Sequence, residues 1–133
     1  MKIVLWFMLC LFPWSVYSAE VSRIEQGQKL IANLELAEGK HLRDGVVLMT
    51  HGTLAHGQME IMSTLQGLLK DNGINTLSIN LSLGLDSRHG MYDCNVPHRH
   101  KHQDAMQEID GWIKWLGSKN AGPVVLLGHS RGG

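Results

Sequence analysis

The chain has 133 residues, a length that suits one domain at most, and its 12 basic and 12 acidic side chains give zero net charge. This balance argues against nucleic acid or an anionic surface as a partner, and we predict neither. Hydrophobic residues make up 44% of the chain, which is ordinary for a globular domain.

The first 18 residues have the pattern of a secretory signal peptide. Lys2 supplies a positive charge, residues 3–14 form an uncharged apolar run, and Val16-Tyr17-Ser18 precedes a cleavage point after Ser18. The apolar run is shorter than the ~20 residues that cross a bilayer. We therefore predict cleavage rather than an uncleaved anchor, no stable membrane anchor afterwards, and a mature domain of residues 19–133 that is periplasmic or secreted.

The mature chain is predicted to alternate between strands and helices. In chain order, the predicted elements are a strand at 28–36, a strand at 45–50, a helix at 58–72, a strand at 76–81, a helix at 103–116 and a strand at 123–127. The first helix has apolar residues at helical spacing, namely Ile61, Leu65, Leu68 and Leu69. The second has a similar stripe, namely Ala105, Ile109, Trp112, Ile113 and Leu116, and we interpret Trp112 and Trp115 as packing residues.

This alternation predicts an α/β fold with a mostly parallel sheet and flanking helices. Such sheets carry their functional residues at the carboxyl ends of the strands. Two glycine-rich segments follow predicted strands, at residues 51–57 and 128–133.

The second of these segments, Gly128-His129-Ser130-Arg131-Gly132-Gly133, has the G-x-S-x-G pattern of a nucleophile elbow. A serine hydroxyl is a useful nucleophile only when it is exposed, oriented and deprotonated by a base. A strand-to-helix turn sharp enough to expose it strains the backbone, and glycines at positions 128 and 132 remove side chains that would collide.

The chain resembles the α/β-hydrolase family over residues 30–133, through this elbow, the segment VVLMTHG before the first glycine-rich loop, and the segment DNGINTLSINL. The resemblance implies that Ser130 is the nucleophile and that the Arg131 N–H is one oxyanion donor. It implies a second donor in the loop after His51, with the Thr53 N–H favoured over that of Leu54. Gly52 would let this loop approach the substrate closely.

The family order of Ser, acid and His implies that the acid and the His follow the elbow. The chain thus resembles the N-terminal half of an α/β-hydrolase fold, truncated after the elbow. We expect the 133 residues alone to be inactive and poorly stable, with the strand at 123–127 as a bare apolar edge. His51 is interpreted as orienting its loop, and His129 as lining the pocket.

Three functions are compatible with the sequence. The first is a secreted serine hydrolase that cleaves a small-molecule or acyl ester, thioester or amide through an acyl-enzyme, without a cofactor. The second is a non-catalytic binding protein on the same fold. The third is a periplasmic metal-binding protein that uses the histidine-rich loop at 82–102, with the candidate ligands Cys94, His98, His100 and His102. We favour the first, and regard the loop as a solvated segment and Cys94 as a free thiol.

Overall fold

The computed structural model describes residues 17–132. Its strands and helices, in chain order, are β1 (Tyr17–Glu25), β2 (Gln28–Leu36), β3 (Val46–Thr50), α1 (Glu60–Asp71), β4 (Thr76–Asn80), α2 (His102–Ser118) and β5 (Val124–Gly128). Every predicted strand and helix is present within a few residues of its predicted bounds. In this part of the chain, no helix is long and apolar enough to cross a membrane.

The five strands form one mixed sheet in the order β1-β2-β4-β3-β5. The pairs β3–β4 and β3–β5 are parallel, whereas β1–β2 and β2–β4 are antiparallel. The predicted α/β class is confirmed. The parallel part is the half of the sheet that carries both glycine-rich segments, because β3 and β5 end side by side, with Thr50 opposite Gly128.

Strand β1 was not predicted from the sequence. It pairs along its whole length with β2, beginning with Tyr17 opposite Leu36, and its side chains alternate between exposed and half-buried. Residues 1–16 of the predicted signal peptide lie outside the described residues, and its last two residues are the exposed start of β1. The signal peptide stays a prediction.

The two helices cover opposite faces of the sheet. Trp112 and Leu116 of α2 are fully buried against one face, in a core that contains Leu48, Leu77 and Ile79. On the other face, α1 packs over β2 and β4. Strand β4 is therefore covered on both faces, all five of its residues are buried, and its polar residues lie beneath α1 rather than in solvent.

The predicted apolar face of α1 is only partly correct. Ile61 and Leu68 are 48% and 56% exposed, whereas Met62 and Gln66 are the buried residues of this helix. The Gln66 amide donates to Thr76 Oγ1 at 2.9 Å and to the Asn33 carbonyl oxygen at 3.2 Å. These hydrogen bonds offset the cost of burying a polar group. Gln66 can therefore face the sheet, although the pattern of apolar residues predicts that it is exposed.

Strand β5 forms one edge of the sheet in the described chain and pairs with β3 alone. Val125 and Leu126 are each 59% exposed. An apolar strand with unpaired backbone groups is a site at which chains associate. This arrangement matches the bare apolar edge that the sequence predicts.

Candidate functional site

The predicted elbow lies where β5 ends and a single 3-10 turn, Ser130–Gly132, begins. Ser130 is exposed and has φ 58°, a left-handed value that costs a non-glycine residue about 1–3 kcal/mol. The His129 N–H donates to the Thr50 carbonyl oxygen at 2.9 Å, which fixes the turn to the end of β3. The local geometry is that of a strained, exposed serine between a strand and a helical turn.

The elbow and the first glycine-rich loop are in contact. A Cβ added to Gly52 would lie 3.2 Å from Ser130 Cβ, so the Gly52 backbone is adjacent to the serine. A Cβ on Gly132 would collide with the His51 carbonyl oxygen and would lie 2.8 Å from that of Thr50. The second glycine of the elbow is therefore required because the loop backbone passes against it.

We predict that Gly132→Ala destabilises the protein by roughly 1–3 kcal/mol, because backbone must move to admit the methyl group. Gly67→Ala is the matched control, because Gly67 lies within α1 and an added Cβ would have nothing within 4 Å. This substitution should stabilise the protein by up to about 1 kcal/mol. Urea unfolding of both variants measures the difference. Equal stabilities would contradict the close approach of the loop to the elbow.

Residues 52–55 of the loop form a tight turn. The Ala55 N–H donates to the Gly52 carbonyl oxygen at 3.2 Å, and Leu54 has φ 58° whereas Thr53 does not have a positive φ. This pattern is that of a type II turn, with Thr53 at its second position. Thr53 is exposed, and within residues 17–132 neither its N–H nor that of Arg131 donates to a backbone acceptor. Both amides are available to a ligand.

The His51 side chain lies beneath this turn and is 1% exposed. Its Nε2 accepts a hydrogen bond from the Leu81 N–H at 3.0 Å, so the ring proton must be on Nδ1. Nδ1 lies 2.8 Å from the Gly52 carbonyl oxygen and donates to it. Burial, helped by the nearby Arg88 charge, lowers the His51 pKa to about 4. His51 is thus a neutral residue that holds the loop, as interpreted from the sequence, and both of its ring nitrogens are engaged in hydrogen bonds.

The His51 pKa makes stability depend on pH. The folded state favours the neutral His51 ring, so the free energy of unfolding is highest above the unfolded pKa of 6.5. It decreases as the pH falls from 6.5 towards 4, because the unfolded state then binds a proton that the folded state excludes. The shift corresponds to about 3 kcal/mol. We predict that His51→Gln, which keeps a donor and an acceptor, flattens the stability profile between pH 6.5 and 4.5 in urea unfolding. An unchanged slope would contradict the lowered pKa.

Arg88 in the loop after β4 was not singled out from the sequence, and it is 5% exposed. Its guanidinium donates to the carbonyl oxygens of Leu81 at 2.8 Å, Gly90 at 2.7 Å and Ala55 at 2.8 Å, and one nitrogen lies 3.2 Å from His51 Nε2. Burial lowers the Arg88 pKa. No local pattern identifies such a residue, because its partners Ala55 and His51 lie more than thirty residues away in the sequence.

The alternative of a metal site in the histidine-rich loop gains no support from residues 17–132, among which no three His, Cys, Asp or Glu side chains are placed to hold an ion. His98 packs edge-on against Tyr92. His100 lies 2.9 Å from the Glu108 carboxylate, His102 begins α2, and Cys94 is exposed. Alternation along the loop does not bring the four side chains together, since the loop is not an extended strand.

A second cluster of serine, acid and histidine also lies at this end of the sheet. Glu108 is buried and accepts hydrogen bonds from the Ser82 hydroxyl, from the Ser82 N–H at 2.8 Å, and from the His100 ring. The carboxylate, rather than the imidazole, contacts the serine, so the order of groups differs from that of a serine–histidine–acid triad. The cluster borders a cavity of about 580 Å³ that neither Ser130 nor Thr53 lines. It ties α2 to the end of β4.

Comparisons with known proteins identify the fold. No protein-family model and no curated protein matches the sequence. Among solved structures, the chain is similar to Est1E from Butyrivibrio proteoclasticus, with a TM-score of 0.67 and 17% identity over 85% of this chain and 41% of that one. A cold-adapted esterase from an Arctic intertidal metagenomic library gives 0.65 and 17%, over 91% and 57%. Dienelactone hydrolase from Anabaena variabilis gives 0.62 and 22%, over 89% and 54%.

The sheet and its two helices form a three-layer α/β arrangement, with Ser130 at the carboxyl end of the parallel strand β5. The structural similarity identifies this arrangement as part of the α/β-hydrolase fold, as the sequence resemblance indicates. It spans about half the length of these structures, with 41%, 57% and 54% of the three chains covered.

Proposed function

We propose that the protein is a serine hydrolase that cleaves an ester, thioester or amide of a small-molecule or acyl substrate through an acyl-enzyme on Ser130. The observation that carries this proposal is the φ of 58° at an exposed Ser130 that adjoins Gly52 of the neighbouring loop. Ser130 shares its positive φ with several turn residues of this chain, and what distinguishes it is that the strained turn follows a buried parallel strand and exposes a hydroxyl, as a nucleophile elbow does. The esterases and hydrolases among the similar structures support the same reaction class.

In the proposed reaction, Ser130 Oγ attacks the substrate carbonyl carbon while a base removes the hydroxyl proton. The carbonyl oxygen becomes an oxyanion that accepts hydrogen bonds from the Thr53 and Arg131 amides. Collapse of the tetrahedral intermediate expels the alcohol, thiol or amine with that proton, and water then releases the acid from Ser130 by the same steps. Two fixed amides stabilise the oxyanion more than the neutral carbonyl, which is what accelerates the chemical step.

The base and its acid partner are proposed to come from outside the described residues. The buried rings of His51 and His100 are hydrogen-bonded to the Gly52 carbonyl and to Glu108, and that of His89 is bonded to Glu20. No hydrogen bond joins any of these three rings to Ser130. His129 Nδ1 is buried without a hydrogen-bond partner among residues 17–132, and a Cβ on Gly52 would lie 3.6 Å from it, so the His129 ring lies at the same loop as Ser130, in keeping with its interpretation as a pocket-lining residue. The apolar leader supports our further proposal that the enzyme acts in the periplasm or outside the cell.

The test is covalent labelling of the complete product of the gene that encodes this chain. A fluorophosphonate ester reacts with an activated serine hydroxyl and not with an ordinary one. Peptide mapping should locate a single adduct on the peptide that contains Ser130, and heat-denatured protein, in which the site is lost, should remain unlabelled. Absence of the adduct, or an adduct on another serine, would contradict the proposal and favour a non-catalytic binding protein on this fold.

A further inference from the structure

A continuous chain of hydrogen bonds joins the buried Arg88 guanidinium to the loop beside Ser130. A terminal nitrogen of Arg88 lies 3.2 Å from His51 Nε2, and His51 Nδ1 lies 2.8 Å from the Gly52 carbonyl oxygen. The next group in the chain is the Gly52–Thr53 peptide, whose N–H belongs to Thr53.

The direction of each bond in this chain is determined. Arginine can only donate, and the Leu81 N–H also donates to His51 Nε2, so this nitrogen is the acceptor and Nδ1 the donor. The Gly52 carbonyl oxygen therefore accepts, both from His51 and from the Ala55 N–H at 3.2 Å. In a trans peptide the N–H points opposite to the carbonyl, so the Thr53 N–H points away from His51 and out of the turn.

We propose that Arg88 is a positioning residue of the oxyanion hole: acting through His51, it holds and polarises the Gly52–Thr53 peptide so that the Thr53 N–H is the second oxyanion donor. This inference rests on the proposed function, and it selects the Thr53 N–H rather than the Leu54 N–H as the second oxyanion donor. Hydrogen bonds in series strengthen one another, and a donor at the carbonyl end of a peptide makes its N–H a better donor.

The surroundings of Arg88 are suited to this role. Within residues 17–132 no carboxylate lies within ion-pair distance of its guanidinium, which is instead satisfied by carbonyl oxygens. Its positive charge is therefore not neutralised by a direct partner, in a buried region where charges act strongly. Arg88 donates to the Ala55 carbonyl oxygen, and the Tyr92 N–H donates to the Leu54 carbonyl oxygen at 3.0 Å. These two bonds fix the far side of the turn.

The same guanidinium also connects β4 to its following loop, so a purely structural role is the competing explanation. A double-mutant cycle separates the two. Arg88→Met removes the charge and the donors, and Thr53→Pro removes the N–H on which Arg88 is proposed to act. In the complete gene product, Arg88→Met should lower kcat for a p-nitrophenyl ester by about tenfold or more, less than the ~10²–10³-fold loss of a whole donor, with KM changed by at most about threefold.

In the Thr53→Pro background, Arg88→Met should lower kcat by less than about threefold, because the donor is already absent. Equal losses in both backgrounds, or no loss in either, would overturn the proposal. Arg88→Lys should recover part of kcat, since it restores a cation. If Arg88→Met does not fold, Arg88→Lys replaces it in the double-mutant cycle with Thr53→Pro. Arg43→Met is the matched control, because Arg43 is exposed at the opposite end of β3.

Amide hydrogen exchange tests the inference without activity. Arg88→Met should raise the exchange rate of the Ala55 amide by at least about tenfold and leave that of Leu77, in the central strand β4, unchanged. A parallel increase at both amides would show general destabilisation and overturn the positioning role. If the wild type hydrolyses no ester but the Ala55 amide responds as expected, then the proposed function fails while the contact between Arg88 and the loop stands.

Discussion

Replacing Ser130 with alanine should lower kcat/KM for ester hydrolysis by about 10⁴–10⁶-fold in the complete gene product. The alanine keeps the fold, since it removes one oxygen from an exposed side chain, but the covalent intermediate can no longer form. The remaining rate should be close to that supplied by the oxyanion donors and by substrate binding alone. Steady-state kinetics on a p-nitrophenyl ester, with far-ultraviolet circular dichroism of both proteins, measures the effect.

Ser82→Ala is the informative control for this experiment. Ser82 also lies at the carboxyl end of a central strand, close to an acid and a histidine, but its hydroxyl donates to the Glu108 carboxylate and is not hydrogen-bonded to the His100 ring. Its removal should lower kcat/KM by less than about tenfold. If Ser82→Ala were the inactive variant and Ser130→Ala the active one, then the elbow would be a structural turn and the nucleophile would be elsewhere.

The fold was predictable because the relevant signals are local. Helical spacing located α2, alternation located β4, and the apolar run before the elbow located β5. The strand order was not predictable in this way, since the antiparallel pairing of β2 with β4 depends on contacts between residues that are distant in sequence. Strand β1 was missed because an edge strand with exposed polar residues carries little hydrophobic signal.

The residues of the candidate site show the same difference between local signals and contacts that are distant in sequence. The elbow serine and its glycines follow from a motif in which each residue type has a local steric reason, and the structure adds that Gly132 is needed because the His51 backbone passes beside it. Gln66, Arg88 and Glu108 were missed as buried polar residues. Each is acceptable in the interior only because of hydrogen-bond partners on other segments, which no window of sequence contains.

Thr53→Pro should lower kcat by about 10²–10³-fold and leave KM within a few-fold of the wild type. Proline removes the N–H that we propose as an oxyanion donor, and it adds no charge. The substitution suits the backbone, because Thr53 occupies the second position of a turn with the signs of type II, where proline is favoured. An interaction that forms fully only in the transition state affects kcat rather than substrate binding.

Thr53→Ala is the matched variant, since it removes the exposed side chain and keeps the N–H; it should retain kcat within about threefold. The pair therefore separates the amide from the hydroxyl at one position. A thionoester substrate adds a chemical check, because sulfur is a weak acceptor. The wild type should prefer the oxygen ester strongly, and Thr53→Pro should lose most of this preference. If kcat and the preference were both unchanged, then Thr53 would not be the donor, and the Leu54 N–H, one peptide further along the same turn, would take its place.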